Sequence, residues 1–246
     1  MKPYFQDESC TIYHGDCRDV LPGLEFDVVV TDPPYGIGWS LGDGFGVGGH
    51  SAPISGDDDT SARDWVRARY PDVPTVMFGS DRMPPPIGTV ATLVFAKPTI
   101  ACGRIGVSLP WLRNWEPIFV CGEWPKTIPC RSSIIETSEL AASGYSGYST
   151  RAGHPHAKPL DVLYSLLQAA PWGAVCDPFM GSGTTLRAAK DLGRKAIGIE
   201  IEERYCAIAA KRLEQQVLHF EERMIKSGHG QMEGRQGTLL GEGSQE

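Results

Sequence analysis

The segment Ala174-Val-Cys-Asp-Pro-Phe-Met-Gly-Ser-Gly-Thr-Thr-Leu-Arg187 runs from an apolar stretch through a glycine turn into residues with helical spacing. In doubly wound α/β folds, adenine-nucleoside cofactors bind at such turns, at the carboxyl ends of strands. A phosphate-binding P-loop requires Lys after its last glycine, but Thr184 follows Gly183, which excludes that motif. A dinucleotide fingerprint has a third glycine where this chain has Leu186, which weakens that interpretation.

Glu200 is the second residue type that a nucleoside-binding site of this kind requires. It ends the next predicted strand, 19 positions after Gly181, where a carboxylate can accept hydrogen bonds from ribose hydroxyls. A ribose-bearing cofactor without a pyrophosphate fits this combination best, and S-adenosylmethionine is the common one. The alternative is a tight structural turn followed by an ordinary exposed glutamate.

Short apolar runs bounded by turn residues recur along the chain and predict buried strands of a parallel sheet. Helical patterns lie between several of them: one face at 160–167, a helix over 184–192 that stops at Gly193, and a longer helix over 205–224. Alternating strands and helices indicate an α/β layer fold with right-handed crossovers. The predicted strands are 11–14, 26–31, 74–79, 90–97, 116–122, 174–177 and 195–200.

Three stretches depart from this alternation. Residues 36–60 are rich in Gly, Ser and Asp, and we interpret them as a lid, with a simple surface loop as the alternative. Residues 99–155 hold aromatic side chains among turn-forming residues and look like an insert on the sheet. Residues 227–246 are rich in Gly, Gln and Glu, which predicts a disordered tail.

The segment Thr31-Asp32-Pro33-Pro34-Tyr35-Gly36 completes the predicted strand 26–31 and forms its exit. Each proline fixes its own φ near about −65° and keeps the preceding residue out of helical geometry, so the turn is rigid. Asp32, a backbone carbonyl and the Tyr35 ring then suit the exocyclic amino group of a flipped nucleobase, because the oxygens accept the amino hydrogens while the ring stacks on the base. A proline-rich strand exit without chemistry is the alternative.

Composition restricts the class of protein. The 246 residues are 41% hydrophobic, enough for a buried core, which excludes a disordered chain. The net charge of −7 argues against coating nucleic acid by bulk electrostatics, yet residues 99–158 hold six Lys or Arg against four Glu, which allows a local phosphate-facing surface. Seven scattered Cys without Cys-x-x-Cys spacing, and no apolar run long enough for a signal peptide or membrane span, predict a soluble cytoplasmic protein with reduced thiols. His154 and His156 make only a weak case for a metal site, and we predict none.

Several motifs together carry a family resemblance. The segments Asp32-Pro33-Pro34-Tyr35, 177–185 and Gly198-Ile199-Glu200 resemble the catalytic, cofactor-loop and ribose motifs of DNA amino-methyltransferases. The segment His156-Ala157-Lys158-Pro159-Leu160 looks like the one that precedes the cofactor loop in that family. Because the catalytic motif comes before the glycine loop, the order is similar to that of the permuted β group, and the resemblance spans roughly residues 11–213.

The resemblance implies the Rossmann-like α/β fold of S-adenosylmethionine-dependent methyltransferases, with a circularly permuted motif order. It divides the chain into a catalytic half at 1–98, a small target-recognition insert at 99–155, a cofactor-binding half at 156–226 and the tail at 227–246. It implies S-adenosylmethionine as cofactor and double-stranded DNA as partner. We also expect that the protein can form a homodimer.

The resemblance also assigns roles to single residues. It places catalysis at Asp32, Pro33, Pro34 and Tyr35. It places Asp16 near the cofactor's adenine and Lys158 near its methionine end, although a turn aspartate and a solvated surface lysine are the alternatives at these two positions. The cofactor-binding set that it implies is Asp16, Cys17, Lys158, Asp177, Phe179, Gly181, Ser182, Gly183, Thr184 and Glu200.

We therefore expect a site-specific DNA methyltransferase that moves a methyl group from S-adenosylmethionine to N6 of a flipped adenine in duplex DNA, in a bacterial or phage-infected cell. Methylation of cytosine N4 is the nearest alternative, although the cytosine enzymes more often have Ser at the Asp32 position. Carbon-5 methylation needs a cysteine nucleophile, which Cys130 offers only within the insert, and enzymes that methylate amides usually have Asn in place of Asp32. A catalytically silent DNA-binding module is the alternative outside enzymes, and the intact Asp32, Tyr35, Gly181, Gly183 and Glu200 argue against it.

Overall fold

The predicted strands pair into one mixed sheet. A computed structural model describes residues 1–37, 57–98, 110–112, 114–126, 130–137 and 157–214. The strands in these ranges are β1 Phe5–Gln6, β2 Cys10–His14, β3 Val28–Thr31, β4 Thr75–Phe78, β5 Thr89–Ala96, β6 Trp115–Cys121, β7 Ile134–Glu136, β8 Val175–Asp177 and β9 Ala196–Glu200. Their order across the sheet is β1-β2-β9-β8-β3-β4-β6-β5-β7.

Helices precede or follow the parallel strands. They are α1 Cys17–Val20, α2 Ser61–Arg69, α3 Leu160–Ala169, α4 Thr184–Asp191 and α5 Glu203–Glu214. Asp16 caps the start of α1, because its side chain accepts the backbone N–H of Arg18. Gly193 follows α4 with a φ of +70°, the left-handed conformation that commonly ends a helix, and the chain then turns into β9.

Five neighbouring strands run parallel, in the order β2, β9, β8, β3 and β4. From β3 the chain continues outward to β4, whereas from β8 it continues outward in the opposite direction to β9. In open α/β sheets, ligands bind where the strand order reverses, outside the carboxyl ends of the strands. In this sheet that place is the carboxyl edge between β3 and β8.

Apolar side chains alternate between the two faces of the sheet, as the two-residue period of a strand requires. Val28 and Val30 belong to a buried cluster shared with α3, α4 and α5, whereas Val29 belongs to a second cluster shared with α1 and α2. The sheet is therefore the middle layer of an α/β/α arrangement. No helix in the described ranges has the length and hydropathy that a membrane crossing requires.

All the strands predicted from the sequence are present, with ends that lie within two residues of the prediction. The predicted helices at 160–167 and 184–192 correspond to α3 and α4, and α5 is the described part of the helix predicted over 205–224. The prediction missed β1, β7, α1 and α2. Three of these elements are only two to four residues long, too short to show a hydrophobic period.

The prediction of a wholly parallel, buried sheet is wrong for the strands beyond β4. β6 runs antiparallel to both β4 and β5, and the residues at 90–92 of β5 are exposed. Parallel neighbours require a crossover connection and antiparallel neighbours do not, but the apolar content of a strand does not distinguish the two arrangements. The sheet is therefore mixed.

The predicted insert, 99–155, contributes two strands to this sheet. Trp115–Cys121 is β6, hydrogen-bonded between β4 and β5, and Ile134–Glu136 is β7 at the edge. Most other residues of the insert lie outside the described ranges, as do most of the predicted lid at 36–60 and the whole tail at 227–246. Target recognition by the insert stays a prediction.

Candidate functional site

Four acidic residues follow or end neighbouring parallel strands. Asp16 follows β2, Glu200 ends β9, Asp177 ends β8 and Asp32 follows β3. Since these strands are adjacent in that order, the acids are arranged along the carboxyl edge of the sheet. The predicted catalytic corner and the predicted cofactor turn therefore meet at one place, although they are far apart in the sequence.

Asp177 joins the two motifs directly. Its Oδ1 accepts a hydrogen bond from Thr31 Oγ1 at 2.6 Å, a contact between residues 146 positions apart. The same oxygen accepts the backbone N–H of Phe179 at 3.2 Å, which fixes the start of the glycine turn. Burial raises the pKa of Asp177 to about 6, against the lowering effect of hydrogen bonds from Thr31 and Thr185. With 2% exposure, Asp177 positions the turn and does not present its carboxylate to solvent.

The glycine turn is held against Glu200 and α5. The backbone N–H of Gly181 donates to Glu200 Oε2 at 2.8 Å. Gly183 has a φ of +78°, and a Cβ at this position would lie 2.8 Å from the Cβ of Ala209. Gly183 is therefore required both by its left-handed backbone and by the close approach of α4 to α5.

Glu200 is oriented by two backbone donors. Its Oε1 accepts from the N–H of Glu202 at 2.8 Å, opposite the bond from Gly181 to Oε2. Burial raises its pKa, while these two hydrogen bonds act in the opposite direction. Each carboxylate oxygen has a second lone pair, so Glu200 can still accept hydroxyl hydrogens from a ligand. The neighbouring Ile201 is 51% exposed and offers an apolar surface beside this acceptor.

Asp16 and Cys17 lie at the start of α1. Asp16 forms an ion pair with Arg18, and the bond from Arg18 lowers its pKa. Cys17 is 5% exposed, and burial raises the pKa of its thiol to about 12. The structure therefore gives Asp16 a capping role and leaves Cys17 protonated. The contact of Asp16 with the cofactor's adenine and the membership of Cys17 in the cofactor-binding set remain predictions.

The catalytic corner after β3 is built around Asp32. Tyr35 donates its hydroxyl to Asp32 Oδ1 at 2.7 Å, and the Nζ of Lys158 lies 3.0 Å from Asp32 Oδ2. Lys158 also donates to the Tyr35 hydroxyl at 3.0 Å. Pro33 is buried and Pro34 is half-buried, consistent with a rigid exit from the strand. Asp32, Tyr35 and Lys158 thus form a closed triangle.

Protonation states in this triangle follow from burial and from its charges. Burial and the Asp32 carboxylate raise the pKa of Tyr35 well above its usual range, so the phenol remains a hydrogen-bond donor. Burial alone would lower the pKa of Lys158, but the carboxylates of Asp32 and Glu116 outweigh it and keep the ammonium charged. The corner therefore presents a carboxylate whose two oxygens are held by a phenol and a cation.

Sequence reasoning missed two members of this network. Glu116 Oε2 lies 3.2 Å from Lys158 Nζ, and Lys97 forms an ion pair with the other oxygen, Oε1. Lys97 directly follows β5 and Glu116 lies at the start of β6, which are antiparallel neighbours. Charged residues at the facing ends of the predicted strands 90–97 and 116–122 were the available signal.

The remaining predicted residues have the following places. Lys158, which the resemblance assigns to the methionine end of a cofactor, reaches the Asp32 corner. Phe179 packs against the buried cluster on the α1 side of the sheet. Ser182 is buried, and Thr184 Oγ1 accepts from Arg212 at 2.7 Å. His156 lies outside the described residues.

Comparisons with known proteins agree on one family. The model of the DNA methylase family matches residues 111–211, a range that contains Lys158, the glycine turn and Glu200. The chain is 24% identical over 261 residues to the type II methyltransferase M.ScaI of Streptomyces caespitosus, covering 87% of this chain and 84% of that protein. It is 45% identical to the type II methyltransferase M.HinfI of Haemophilus influenzae over 65 residues, which span only 18% of that protein.

Solved structures give the same fold. The complex of M1.HpyAVI with SAM superposes with a TM-score of 0.54 at 24% identity, covering 83% of this chain and 99% of that chain. The cytosine-N4-specific PvuII DNA methyltransferase superposes with a TM-score of 0.59 at 18% identity, covering 92% of this chain and 93% of that chain. At these identities the likeness is one of fold, which is the Rossmann-like methyltransferase fold.

Proposed function

Since the chain belongs to the DNA amino-methyltransferase family, we propose that it transfers a methyl group from S-adenosylmethionine to the exocyclic N6 of an adenine flipped out of duplex DNA. The observation that carries this proposal is the hydrogen bond between Thr31 and Asp177. It places the Asp32 corner, which suits an amine, directly beside the glycine turn, which suits a nucleoside.

The residues of the turn fit S-adenosylmethionine. The Glu200 carboxylate, oriented by Gly181 and Glu202, is an acceptor for the two ribose hydroxyls, and Ile201 adds the apolar surface that an adenine ring requires. The turn also lacks the lysine that would serve a phosphate-bearing cofactor. When bound, S-adenosylmethionine supplies a methyl group on a positively charged sulfur.

Asp32 and Pro33 act on the amine. The nitrogen of an exocyclic amino group is a poor nucleophile, because its lone pair is delocalised into the ring. Asp32 retains a lone pair on each oxygen beyond those that Tyr35 and Lys158 occupy, so it can accept an amino hydrogen. That bond, with one to the Pro33 carbonyl, stabilises the positive charge that develops on nitrogen. Asp32 is then placed to take the proton that leaves after transfer.

Tyr35 and Lys158 prepare this acceptor before the base arrives. The hydroxyl of Tyr35 holds one carboxylate oxygen and the ammonium of Lys158 approaches the other, so Asp32 does not have to reorganise during the reaction. The fixed Tyr35 ring is available for stacking on the flipped base. Flipping costs a few kcal/mol, and stacking is worth about 1–3 kcal/mol per base, so phosphate contacts must supply the rest.

Cytosine N4 is the second candidate target, because it presents the same type of amine on a smaller ring. Asp32 favours adenine by resemblance, while the likeness to the PvuII enzyme is one of fold and does not extend to the base. The chemistry of the corner is the same in both cases. The identity of the methylated nucleoside therefore has to be measured.

The experiment is methyl transfer to unmethylated genomic DNA, followed by mass spectrometry of the nucleosides. We expect N6-methyl-2′-deoxyadenosine with the wild-type protein. Both Asp32→Asn and Asp32→Ala are expected to lower the rate by at least about 10²-fold to 10³-fold, because each removes the charged acceptor. The matched control is Asp72→Asn, an exposed aspartate near the start of β4 at the opposite edge of the sheet, which should leave the rate unchanged.

Two outcomes would contradict the proposal at different levels. Equal, background-level methylation by wild type and Asp32→Ala would remove the transferase activity and favour a silent DNA-binding module. N4-methylcytosine as the only product would leave the chemistry in place and overturn the choice of adenine. Duplex and single-stranded DNA compared in the same assay test the expected partner, and sedimentation of the wild type tests the expected homodimer.

A further inference from the structure

Glu116 lies between two lysines at the carboxyl edge of the sheet. Lys97 forms an ion pair with Oε1, and Lys158 Nζ lies 3.2 Å from Oε2. The side chains of Lys97, Glu116 and Lys158 are only 18%, 20% and 12% exposed. The facing backbone is fixed as well, since Ala96 pairs with Trp115 and the N–H of Lys97 donates to the carbonyl of Asn114 at 2.7 Å.

Lys158 is the point at which this ion pair meets the catalytic corner. Its ammonium lies against aromatic rings, 5.0 Å from the centroid of Phe78 and 5.4 Å from that of Tyr35. Among the described residues, polar groups of Asp32, Tyr35 and Glu116 approach it. Glu116 lies on β6, whereas Asp32 and Tyr35 lie in the segment after β3, so its charge attracts the ammonium from a second element of the fold.

We infer that Glu116 is a positioning residue for methyl transfer: held by Lys97, it fixes the Lys158 ammonium and, through Lys158, the Asp32 carboxylate that receives the target amine. This inference rests on the proposed role of Asp32. Stability does not explain these charges well, because replacing buried ion pairs by apolar side chains of similar volume is often neutral or stabilising. A requirement to hold the Lys158 ammonium and the Asp32 carboxylate in place explains them better.

Charge alternates along this network, and Glu116 is the anion between two cations. The two lysines also lower the pKa of Glu116. Burial opposes its ionisation, but the charges of Lys158 and Lys97 outweigh burial. Without this charge, Lys158 has only Asp32 as its carboxylate partner among the described residues of the corner, and it draws Asp32 away from the amine. A displacement of about 1 Å in a positioning group can cost about 10²-fold in rate.

The first arm of the test is kinetic. Glu116→Gln is expected to lower the single-turnover rate of methyl transfer about 10-fold to 100-fold, with the Kd for S-adenosylmethionine changed less than about 3-fold. Glu116→Asp keeps the charge and should retain most of the rate. The matched control is Glu123→Gln, an exposed glutamate just beyond the other end of β6, which should behave as wild type.

The second arm uses the coupling between Lys97 and Glu116. Lys97→Met should lower the rate in the wild type but have no further effect in Glu116→Gln, since Lys97 acts only through Glu116. A merely structural role predicts that both changes alter the stability measured by urea unfolding while the rate per folded molecule stays constant. A constant rate, or losses of rate that add in the double variant, would overturn the inference.

The third arm does not depend on activity. In protein labelled at the lysine ε carbons, with the Lys158 resonance assigned from Lys158→Met, the wild-type ammonium should remain protonated to the highest pH that the fold tolerates. In Glu116→Gln the midpoint should fall, because a carboxylate that raises the Lys158 pKa is gone, and the alkaline limb of the rate profile should move with it. Lys158 is faced by Asp32, Tyr35 and Glu116, so Glu123→Gln should not move the midpoint.

The arms separate the two ways in which this inference can fail. If no DNA is methylated by the wild type, the proposed function fails, while the Lys158 titration still reports whether Glu116 holds the ammonium. If the wild type is active but Glu116→Gln keeps its rate within 2-fold and its Lys158 midpoint unchanged, the positioning role is overturned. Should Glu116→Gln not fold, Lys97→Met carries the rate measurement, and an unchanged rate per folded molecule in that variant would overturn the positioning role.

Discussion

Buried cations have different partners at the two edges of the sheet: the amino edge, where the parallel strands begin, and the carboxyl edge, where they end. At the amino edge Arg67 and Arg194 are buried, with exposures of 1% and 2%. Each ends on neutral backbone carbonyls: Arg67 donates to Tyr70, Pro71 and Val73, and Arg194 donates to Leu167, Pro171 and Gly173. At the carboxyl edge, by contrast, the ammonium of Lys158 faces the carboxylates of Asp32 and Glu116.

This difference separates structure from chemistry. A guanidinium bound to carbonyls has its donors occupied by the loops that lead into the strands, so it closes those loops and offers nothing to a ligand. A carboxylate held by one phenol and one ammonium keeps lone pairs for a substrate. Charge of either kind is costly to bury, and only the second arrangement leaves that charge able to act on another molecule.

Replacing Arg67 is the strongest test of the structural role of the amino edge. Arg67→Met removes the guanidinium donor from partly buried carbonyls, and each polar group left unsatisfied costs about 1–3 kcal/mol. We therefore expect the free energy of unfolding in urea to fall by roughly 3–5 kcal/mol. Methyl transfer per folded molecule should not change. Arg69→Met, at an exposed position on the same helix, is the control and should cost less than about 1 kcal/mol. Equal losses for the two variants would contradict the assignment of Arg67.

The pH dependence of the free energy of unfolding tests the buried Asp177 at the carboxyl edge. The pKa of Asp177 rises from 3.8 to about 6 on folding because of burial. Between these values the folded state holds a proton that the unfolded state has lost, so the contribution of Asp177 to stability is greatest below pH 3.8 and is lost as the pH rises through about 6. At about 1.4 kcal/mol per unit, the loss is roughly 3 kcal/mol.

Asp177→Asn isolates this effect from the other carboxylates. The amide oxygen can still accept from Thr31 and Phe179, which both bond to Oδ1 in the wild type. We expect the free energy of unfolding of the wild type, relative to that of Asp177→Asn, to be higher at pH 3.5 than at pH 7. Urea unfolding of both proteins at the two pH values is the measurement. A difference between the two proteins that does not vary with pH would show that Asp177 is not protonated in this range.

The chemistry-bearing motifs could be predicted because each depends on neighbouring residues. Two prolines stiffen the turn after β3, and the glycines of 177–185 allow a strand to turn into a helix, so the residue types alone point to a site. The two motifs adjoin in the structure, where Thr31 donates a hydrogen bond to Asp177. Only the tertiary structure gives the distance between them.

The charged networks could not be predicted, because each depends on which strands are neighbours. Lys97 and Glu116 meet only because β5 and β6 pair antiparallel, whereas the sequence pattern indicated a parallel sheet. Arg67 lies on a helix with other arginines, and nothing in its local sequence distinguishes it from the exposed Arg69. Lys158 was associated with a cofactor by resemblance, and its contact with Asp32 depends on where α3 begins relative to β3.

A pair of glycines tests the smallest difference between the two edges. Gly183 at the carboxyl edge and Gly193 at the amino edge have nearly the same backbone, with φ of +78° and +70°. A Cβ at Gly183 would lie 2.8 Å from the Cβ of Ala209, whereas a Cβ at Gly193 would meet nothing within 4 Å. Gly193→Ala should therefore cost only the strain of a left-handed residue, about 1 kcal/mol. Gly183→Ala should cost about 1–2 kcal/mol more, because α4 and α5 must separate to admit the methyl group. Because the strain is common to both, the difference between their urea midpoints measures how tightly the glycine turn is packed, and equal midpoints would mean that the turn yields where the proposed site requires it to be rigid.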